Sequence, residues 1–166
     1  GPNANEQTQL ICRYGPANAP IKTVYQGIKE LLPHTEVIYK KGCDIIDPHF
    51  PESEILDFPK TAEEVQLMEE AIRAAKQAEV VVMVLEGNEL TVREDRSRTS
   101  LNLPGRQEEL LKAVCATGKP IILVMLDGRA SSINYAAAHI PAILHAWFPG
   151  EFCGQAVAEA LFGDYN

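Results

Sequence analysis

One segment of the chain concentrates side chains that could do acid–base chemistry. Within the fifteen residues 86–100 lie four carboxylates and three arginines, namely Glu86, Glu89, Glu94, Asp95, Arg93, Arg96 and Arg98. Carboxyl groups act as proton donors or general bases once their surroundings tune the pKa. Composition alone favours a simpler interpretation, a solvated loop held by Arg–carboxylate pairs, because charged loops are common on protein surfaces.

The position of this segment in the predicted fold supports a functional role. It follows residues 80–85, an uninterrupted apolar run typical of a strand buried on both faces of a parallel sheet. Sites in open α/β sheets form beyond the carboxyl ends of the strands, so the connections after Tyr39, Leu85 and Leu126 qualify. The connection after Leu85 is unusually long, and long loops are often functional. Arg129, after Leu126, lines a cleft in one interpretation and belongs to a plain tight turn in the other.

Helix-like and strand-like segments alternate along the chain. The pattern predicts an α/β fold, a doubly wound, mostly parallel sheet flanked by helices (an α/β sandwich), in a single domain. Predicted helices cover about 19–32, 61–77, 106–117, 131–138 and 154–161, and predicted strands cover 36–39, 80–85, 121–126 and 142–147. The T-A-E-E sequence from Thr61 is a capping box, and Gly118 ends the next helix. Residues 147–150 follow an apolar run, so Trp147 is expected in the core.

Composition excludes several classes of function. The 166 residues carry a formal net charge of −8, which repels phosphate backbones, so we expect no nucleic-acid binding. No apolar stretch is long enough to span a membrane, and the four histidines lack metal-ligand spacing. Phosphate-binding glycine motifs and a G-x-S-x-G elbow are missing, and we expect neither metal nor cofactor. The four cysteines are far apart and are expected to be free thiols, not a disulfide framework.

Several motifs in one order resemble the second domain of family 3 glycoside hydrolases, above all bacterial β-glucosidases and β-xylosidases. The central match is N-E-L-T at residues 88–91 followed by E-D-R-S-R-T-S-L-N-L-P-G-R-Q at 94–107. Supporting matches are G-P-N-A at 1–4, T-G-K-P at 117–120, G-R at 128–129, A-W-F-P-G-E at 146–151 and L-F-G-D-Y-N at 161–166. The resemblance covers essentially the whole chain.

The resemblance implies half of a two-domain active site in a retaining β-glycosidase. In that family a TIM-type barrel comes first and supplies an aspartate nucleophile, while the following α/β domain provides the acid/base carboxylate. The two carboxyl groups of a retaining site lie about 5–5.5 Å apart across the scissile bond. Residues 1–166 are then the C-terminal domain, excised without its barrel, and inactive alone. The implied partners are that upstream barrel and a β-linked oligosaccharide or glycoside, and an exposed sheet edge could also promote self-association.

Within the loop, the resemblance makes Glu94 the acid/base candidate and Glu89 the alternative. It places Asp95, Arg96 and Arg129 at the substrate. Two features depart from the family pattern: the loop begins Glu86-Gly87 where Gly-Glu is common, and Arg93 replaces a more usual glycine. A non-catalytic carbohydrate-binding or interdomain scaffold module is the alternative function. The sequence leaves the compartment open, with a periplasmic or secreted parent enzyme as one option.

Overall fold

A three-stranded parallel sheet forms the centre of the molecule in the computed structural model, which describes residues 1–7 and 19–165. The strands are β1 (Val81–Leu85), β2 (Ile121–Met125) and β3 (Ala142–His145), and they lie in that order. All pairings are parallel, with Met83 opposite Leu123 and Leu123 opposite Ile143. Parallel strands require crossover connections, and helices provide them here.

Helices cover both faces of the sheet. They are α1 (Val24–Leu31), α2 (Ala62–Gln77), α3 (Gln107–Cys115), α4 (Asn134–His139) and α5 (Cys153–Phe162). Successive side chains of a strand point to opposite faces. Met83 and Leu123 therefore pack with α2, α3 and α4, whereas Val84 and Val124 pack with α1 and α5. This two-sided burial confirms the predicted α/β fold with a parallel sheet flanked by helices.

Two glycines set the close approach of α1 and α5. A Cβ atom built on Gly27 would lie 1.9 Å from the carbonyl oxygen of Gly154, and one on Gly154 would lie 2.2 Å from that of Thr23. Neither position has room for a side chain. Because the helix backbones almost touch, α5 packs directly on α1 and closes this face of the core.

Capping residues fix where two of the helices begin. The capping box predicted at Thr61 is present, since Glu64 N–H donates to Thr61 Oγ1 and Thr61 N–H donates to Glu64 Oε2. An equivalent pair, Thr23 and Gln26, starts α1 at Val24 rather than near residue 19. The sequence-based helix was too long because its apolar spacing extends past the cap.

Two sequence-based predictions are wrong. Residues 36–39 do not form a strand, because an apolar slot separates them from β1, and the described sheet contains β1, β2 and β3 alone. Trp147 is 51% exposed rather than in the core, and its ring stacks on His145 with centroids 4.3 Å apart. Phe148 packs instead, against Gly128 in the loop after β2.

The described residues also test the predictions made for the cysteines and for membrane-spanning helices. Cys43, Cys115 and Cys153 are free thiols, as predicted, and Cys12 lies outside the described residues. Across residues 1–7 and 19–165, no helix is both long and apolar enough to cross a bilayer. Single turns of 3-10 helix at Pro2–Asn5, Glu52–Glu54 and Gly150–Phe152 complete the architecture.

Candidate active site

The loop after β1 is folded tightly where it leaves the sheet. Asn88 and Thr91 form a compact turn, in which Asn88 N–H donates to Thr91 Oγ1 at 3.0 Å and Leu90 N–H donates to Asn88 Oδ1 at 2.9 Å. Thr91 is completely buried. The Nδ2 group of Asn3 donates to the carbonyl of Gly87 at 3.2 Å. The first half of the loop is therefore a fixed base rather than a flexible tether.

The predicted catalytic residues lie farther along the same loop. Glu94, Asp95 and Arg96 are exposed and Glu89 is half-buried, so none of these side chains is packed beneath the sheet. Asp95 contacts Arg93, with 3.1 Å between its Oδ1 and Arg93 Nε. The loop carries these charged groups at the carboxyl end of β1, the edge where sites form in this class of fold.

Arg129 joins the loop after β2 to the loop after β1. Its Nη2 group donates to the carbonyl oxygen of Arg96 at 2.9 Å, and its side chain is half-buried. The structure thus brings together two of the three residues predicted to contact substrate. The third, Asp95, lies next to Arg96 in the chain and is paired with Arg93.

Glu54 holds the second half of the loop, and sequence reasoning missed it. Its Oε1 atom accepts from Arg98 Nε at 2.5 Å, and its Oε2 atom accepts from the N–H and Oγ1 of Thr99, both at 2.9 Å. The side chains of Glu54 and Arg98 are only 4% and 2% exposed. Glu54 comes from the segment between α1 and α2, 44 positions away, and no local sequence pattern signals the pairing.

The pKa of Glu54 is lowered by this environment. Burial alone would raise it, but the hydrogen bonds from Thr99 and the ion pair with Arg98 together outweigh burial. Hydrogen bonds to the charged form of a carboxyl group stabilise that form. Glu54 therefore stays ionised and acts as a clamp on the loop.

Glu86 is a second buried carboxyl group, at the base of the loop. Both Glu86 and Asp127 are completely buried, and they follow the neighbouring strands β1 and β2. Burial, and then the charge of Asp127, raise the pKa of Glu86 to about 8. Asp127 accepts hydrogen bonds from the Gly128 N–H at 2.7 Å and from Ser131 Oγ at 3.0 Å. Burial and the neighbouring negative charge thus favour the protonated form of Glu86.

The backbone at Glu86 is strained and is held in place by Gln107. Its φ of 113° is a conformation that non-glycine residues rarely adopt, with a cost on the order of 1–3 kcal/mol. The side-chain amide of Gln107 accepts from Glu86 N–H at 2.7 Å and donates to the Glu86 carbonyl at 2.8 Å. It also donates to the carbonyl of Ile45 at 3.0 Å. The sequence signal for this strained position is the order Glu86-Gly87, which places a glutamate where the family pattern has a glycine.

A shallow depression adjoins the loop at the same edge of the sheet. Its volume is about 240 Å³, and its lining includes Lys41, Asp44 and Asn88. Lys41 and Asp44 are in direct contact there. The described part of the chain contains no group of three His, Cys, Asp or Glu side chains arranged to hold a metal ion.

Comparison with known proteins decides the family. The model of the glycosyl hydrolase family 3 C-terminal domain matches residues 1–166. The chain belongs to this family. Its relatives include a "Beta-xylosidase" from Formosa agariphila, 39% identical over 173 residues, and a "Periplasmic beta-glucosidase" from Salmonella typhimurium, 35% identical over 179 residues. Both alignments span 100% of this chain but only 22% and 23% of those proteins.

Solved structures give the same result for this family 3 domain. A β-glucosidase from Erythrobacter marinus matches 91% of the chain at 34% identity with a TM-score of 0.77, and the match covers 22% of that protein. A family 3 exo-β-xylosidase matches 98% of the chain with a TM-score of 0.78; its 22% identity supports the fold alone. The relatives thus carry this domain as one part of a larger polypeptide, and the longer proteins are glycoside hydrolases.

Proposed function

We propose that this domain supplies the acid/base catalyst of a retaining β-glycosidase that removes terminal β-linked glucose or xylose. Glu94 is the proton donor, with Glu89 as the alternative. The aspartate nucleophile comes from a TIM-type barrel upstream in the same polypeptide. The observation that carries the proposal is the exposure of Glu94 on a loop anchored beyond the carboxyl end of β1. The names of the relatives, β-xylosidase and β-glucosidase, support the substrate class.

The geometry of the loop suits a proton donor that acts on a ligand held by another domain. A catalytic group must stay within a fraction of an ångström of its productive position. The turn at Asn88–Thr91 and the Glu54–Arg98 pair fix the loop on either side of Glu94. Docking of a barrel would bury Glu94 beside the negative nucleophile, and both effects raise the pKa of a carboxyl group. A raised pKa keeps the proton available for the leaving group.

The neighbouring charged groups have a supporting role in this proposal. Arg129 donates a hydrogen bond to the backbone carbonyl of Arg96, and both residues lie in loops at the same edge of the sheet as Glu94. Arginine donors and the carboxylate of Asp95 can orient sugar hydroxyls by hydrogen bonding. We expect these three residues to affect substrate binding more than the proton transfer itself.

The test is a leaving-group experiment on the full-length enzyme. Glu94→Ala should reduce kcat/KM by about 10²–10⁴-fold for glycosides with poor leaving groups, the range for loss of an acid catalyst. Substrates with good leaving groups should lose far less, and azide should restore part of their turnover. Glu89→Ala is the matched control. If Glu89→Ala alone shows this signature, Glu89 is the acid; near-normal turnover of both variants on both substrates contradicts the proposal.

The isolated domain provides a separate check. Because the nucleophile is proposed to lie on the barrel, residues 1–166 alone should show no glycosidase activity. The alternative of a non-catalytic carbohydrate-binding module predicts millimolar binding of glucose or xylose that is insensitive to Glu89 and Glu94. Titration of both sugars into wild type and into the Glu89→Ala, Glu94→Ala double variant separates the two functions.

A further inference from the structure

One side chain joins the two ends of the loop after β1. The loop leaves the sheet at Glu86 and enters α3 at Gln107, 21 positions later. The Gln107 amide accepts from Glu86 N–H at 2.7 Å and donates to the Glu86 carbonyl at 2.8 Å. It thus satisfies both backbone groups of the first loop residue, which are buried and require partners. We call the pair Glu86 and Gln107 the loop neck.

A third hydrogen bond ties the loop neck to the segment that precedes α2. The Gln107 amide also donates to the carbonyl of Ile45 at 3.0 Å, and the Gln107 side chain is completely buried. A Cβ atom built on Gly105 would lie only 3.0 Å from Asp47 N and 3.1 Å from the Ile45 carbonyl oxygen. The end of the loop therefore touches this segment through its backbone. Because both N–H groups of the Gln107 amide are used, its orientation is fixed.

The loop neck holds a backbone conformation that would otherwise relax. Glu86 has a φ of 113°, and strain of this kind persists in a non-glycine residue only where the surroundings over-determine it. The compact turn of Asn88–Thr91 begins two residues later, and Glu94 follows that turn. A change of backbone direction at Glu86 would therefore move the turn and Glu94 together. A catalytic group tolerates only a fraction of an ångström of such movement.

We propose that Gln107 is a positioning residue for the acid catalyst, because the loop neck that it closes sets the direction in which the loop carries Glu94. Gln107 is completely buried and acts through the backbone of Glu86, without contact to the substrate. The inference rests on the proposed function, since it requires the acid to lie on this loop. It gives a role to the last residue of the L-P-G-R-Q sequence at 103–107.

The experiment uses the full-length enzyme and aryl glycosides with poor and good leaving groups. Gln107→Met keeps a side chain of similar length but removes all three hydrogen bonds. We expect kcat/KM for poor leaving groups to fall by up to about 100-fold, the effect of a displacement on the order of 1 Å. The loss should lie in kcat rather than in KM, and kcat/KM for good leaving groups should change little.

A matched control separates positioning from loss of stability. Val114→Ala truncates a side chain of the same helix that is 3% exposed and belongs to the core. It should lower Tm without changing the dependence on the leaving group. If Gln107→Met folds poorly, Gln107→Glu provides a second measurement. It keeps the acceptor for Glu86 N–H but cannot donate to both carbonyl groups, so the same leaving-group pattern is expected.

Two double variants test the route through the loop. Adding Gln107→Met to Glu94→Ala should cause no further loss with poor leaving groups, because both changes remove the same proton transfer. Adding Glu86→Gly to Gln107→Met should restore part of the lost kcat, because glycine adopts a positive φ without strain. If Glu89 proves to be the acid, Glu89→Ala takes the place of Glu94→Ala in this cycle.

Two outcomes would overturn the inference alone. In the first, Glu94→Ala shows the leaving-group signature while both Gln107 variants behave like Val114→Ala. In the second, the losses from Gln107→Met and Glu94→Ala multiply in the double variant, which would mean that Gln107 does not act through the acid. A different result, near-normal turnover of both Glu94→Ala and Glu89→Ala, overturns the proposed function and this inference with it. The two failures are therefore distinguishable.

Discussion

Two buried glutamates at the same edge of the sheet have opposite electrostatic environments. Glu54 accepts three hydrogen bonds, from Arg98 and Thr99, and its pKa is lowered although burial acts to raise it. Glu86 faces Asp127 at the end of the neighbouring strand, and burial together with that negative charge raises its pKa to about 8. Burial acts to raise the pKa of both glutamates. The partner decides whether the carboxyl group is charged.

The two environments serve different parts of the loop after β1. The ionised Glu54 clamps the far half, beyond Glu94, through a buried ion pair. The protonated Glu86 lies at the base, in a strained backbone conformation that Gln107 holds through both of its backbone groups. Strain of this kind persists only where the surroundings over-determine it, and it clusters at functional sites. The comparison predicts that replacing each glutamate with uncharged glutamine changes the free energy of unfolding, and that the two changes depend on pH in opposite directions.

The largest effect is expected for Glu54→Gln. The substitution leaves the Arg98 guanidinium buried without its counter-ion, and breaking a buried pair in this way costs about 3–5 kcal/mol. Urea unfolding at pH 7 measures the loss. The control is Glu52→Gln, an exposed glutamate in the same 3-10 turn, which should change stability by less than about 0.5 kcal/mol. Equal losses of stability for the two substitutions would show that Glu54 does not act as a clamp on the loop.

The pH dependence of this first variant has a definite sign. The pKa of Glu54 is lower in the folded state, so the stability it contributes is present above the unfolded pKa of about 4.5 and is lost as pH falls below that value. Glu54→Gln should therefore approach wild-type stability in acid. The double variant Glu54→Gln, Arg98→Met should recover part of the loss at pH 7, because it removes the unpaired charge.

The next largest effect on stability is expected for Glu86→Gln, and its dependence on pH should be opposite to that of Glu54→Gln. The folded state keeps the Glu86 proton up to about pH 8, whereas the unfolded state loses it near 4.5. Wild-type stability should then fall as pH rises through this window, by at most about 1.4 kcal/mol per pH unit. The variant lacks this titration, so it should match wild type near pH 4.5 and exceed it at pH 8.

Urea unfolding of wild type and variant at several pH values between 4.5 and 8 provides the measurement. Glu89→Gln, at a half-buried position in the same loop, is the control and should show no comparable trend. A constant difference between wild type and Glu86→Gln across the window would mean that Glu86 is ionised in the folded state. The contrast with Glu54 would then be lost.

The sequence predicted those features that arise from contiguous residues. Residues 80–85 and 121–126 were predicted as strands because burial on both faces leaves an unbroken apolar run, and Thr61 was predicted as a cap because both partners of its capping box lie within one turn. The prediction for residues 36–39 failed because a strand also needs a neighbour in the sheet. Apolar alternation and composition do not reveal whether that neighbour is present.

Contacts between distant segments explain what the sequence missed at the site. The Glu54–Arg98 pair joins two loops, and neither loop contains a pattern that points to the other. Glu86 belongs to a charged run, so its burial could not be inferred from its neighbours. Trp147 was expected in the core because an apolar strand precedes it, but its backbone has φ of 55° and the ring is half exposed. The roles of Glu94 and Glu89 remain predictions.

The smallest effect is expected for a substitution of Ser131, and it tests what sets the pKa of Glu86. Its hydroxyl donates to Asp127 and also lowers the pKa of Glu86, against burial and the charge of Asp127, which raise it. Ser131→Ala should cost about 1 kcal/mol at pH 7, the net value of one hydrogen bond. It should also extend the pH window in which stability falls to higher pH. The neighbouring variant Ser132→Ala is the control, because Ser132 joins the loop through its backbone N–H, which donates to the Leu101 carbonyl at 2.7 Å. If both serine variants leave the upper limit of the window unchanged, the pKa of Glu86 is set by burial and Asp127 alone.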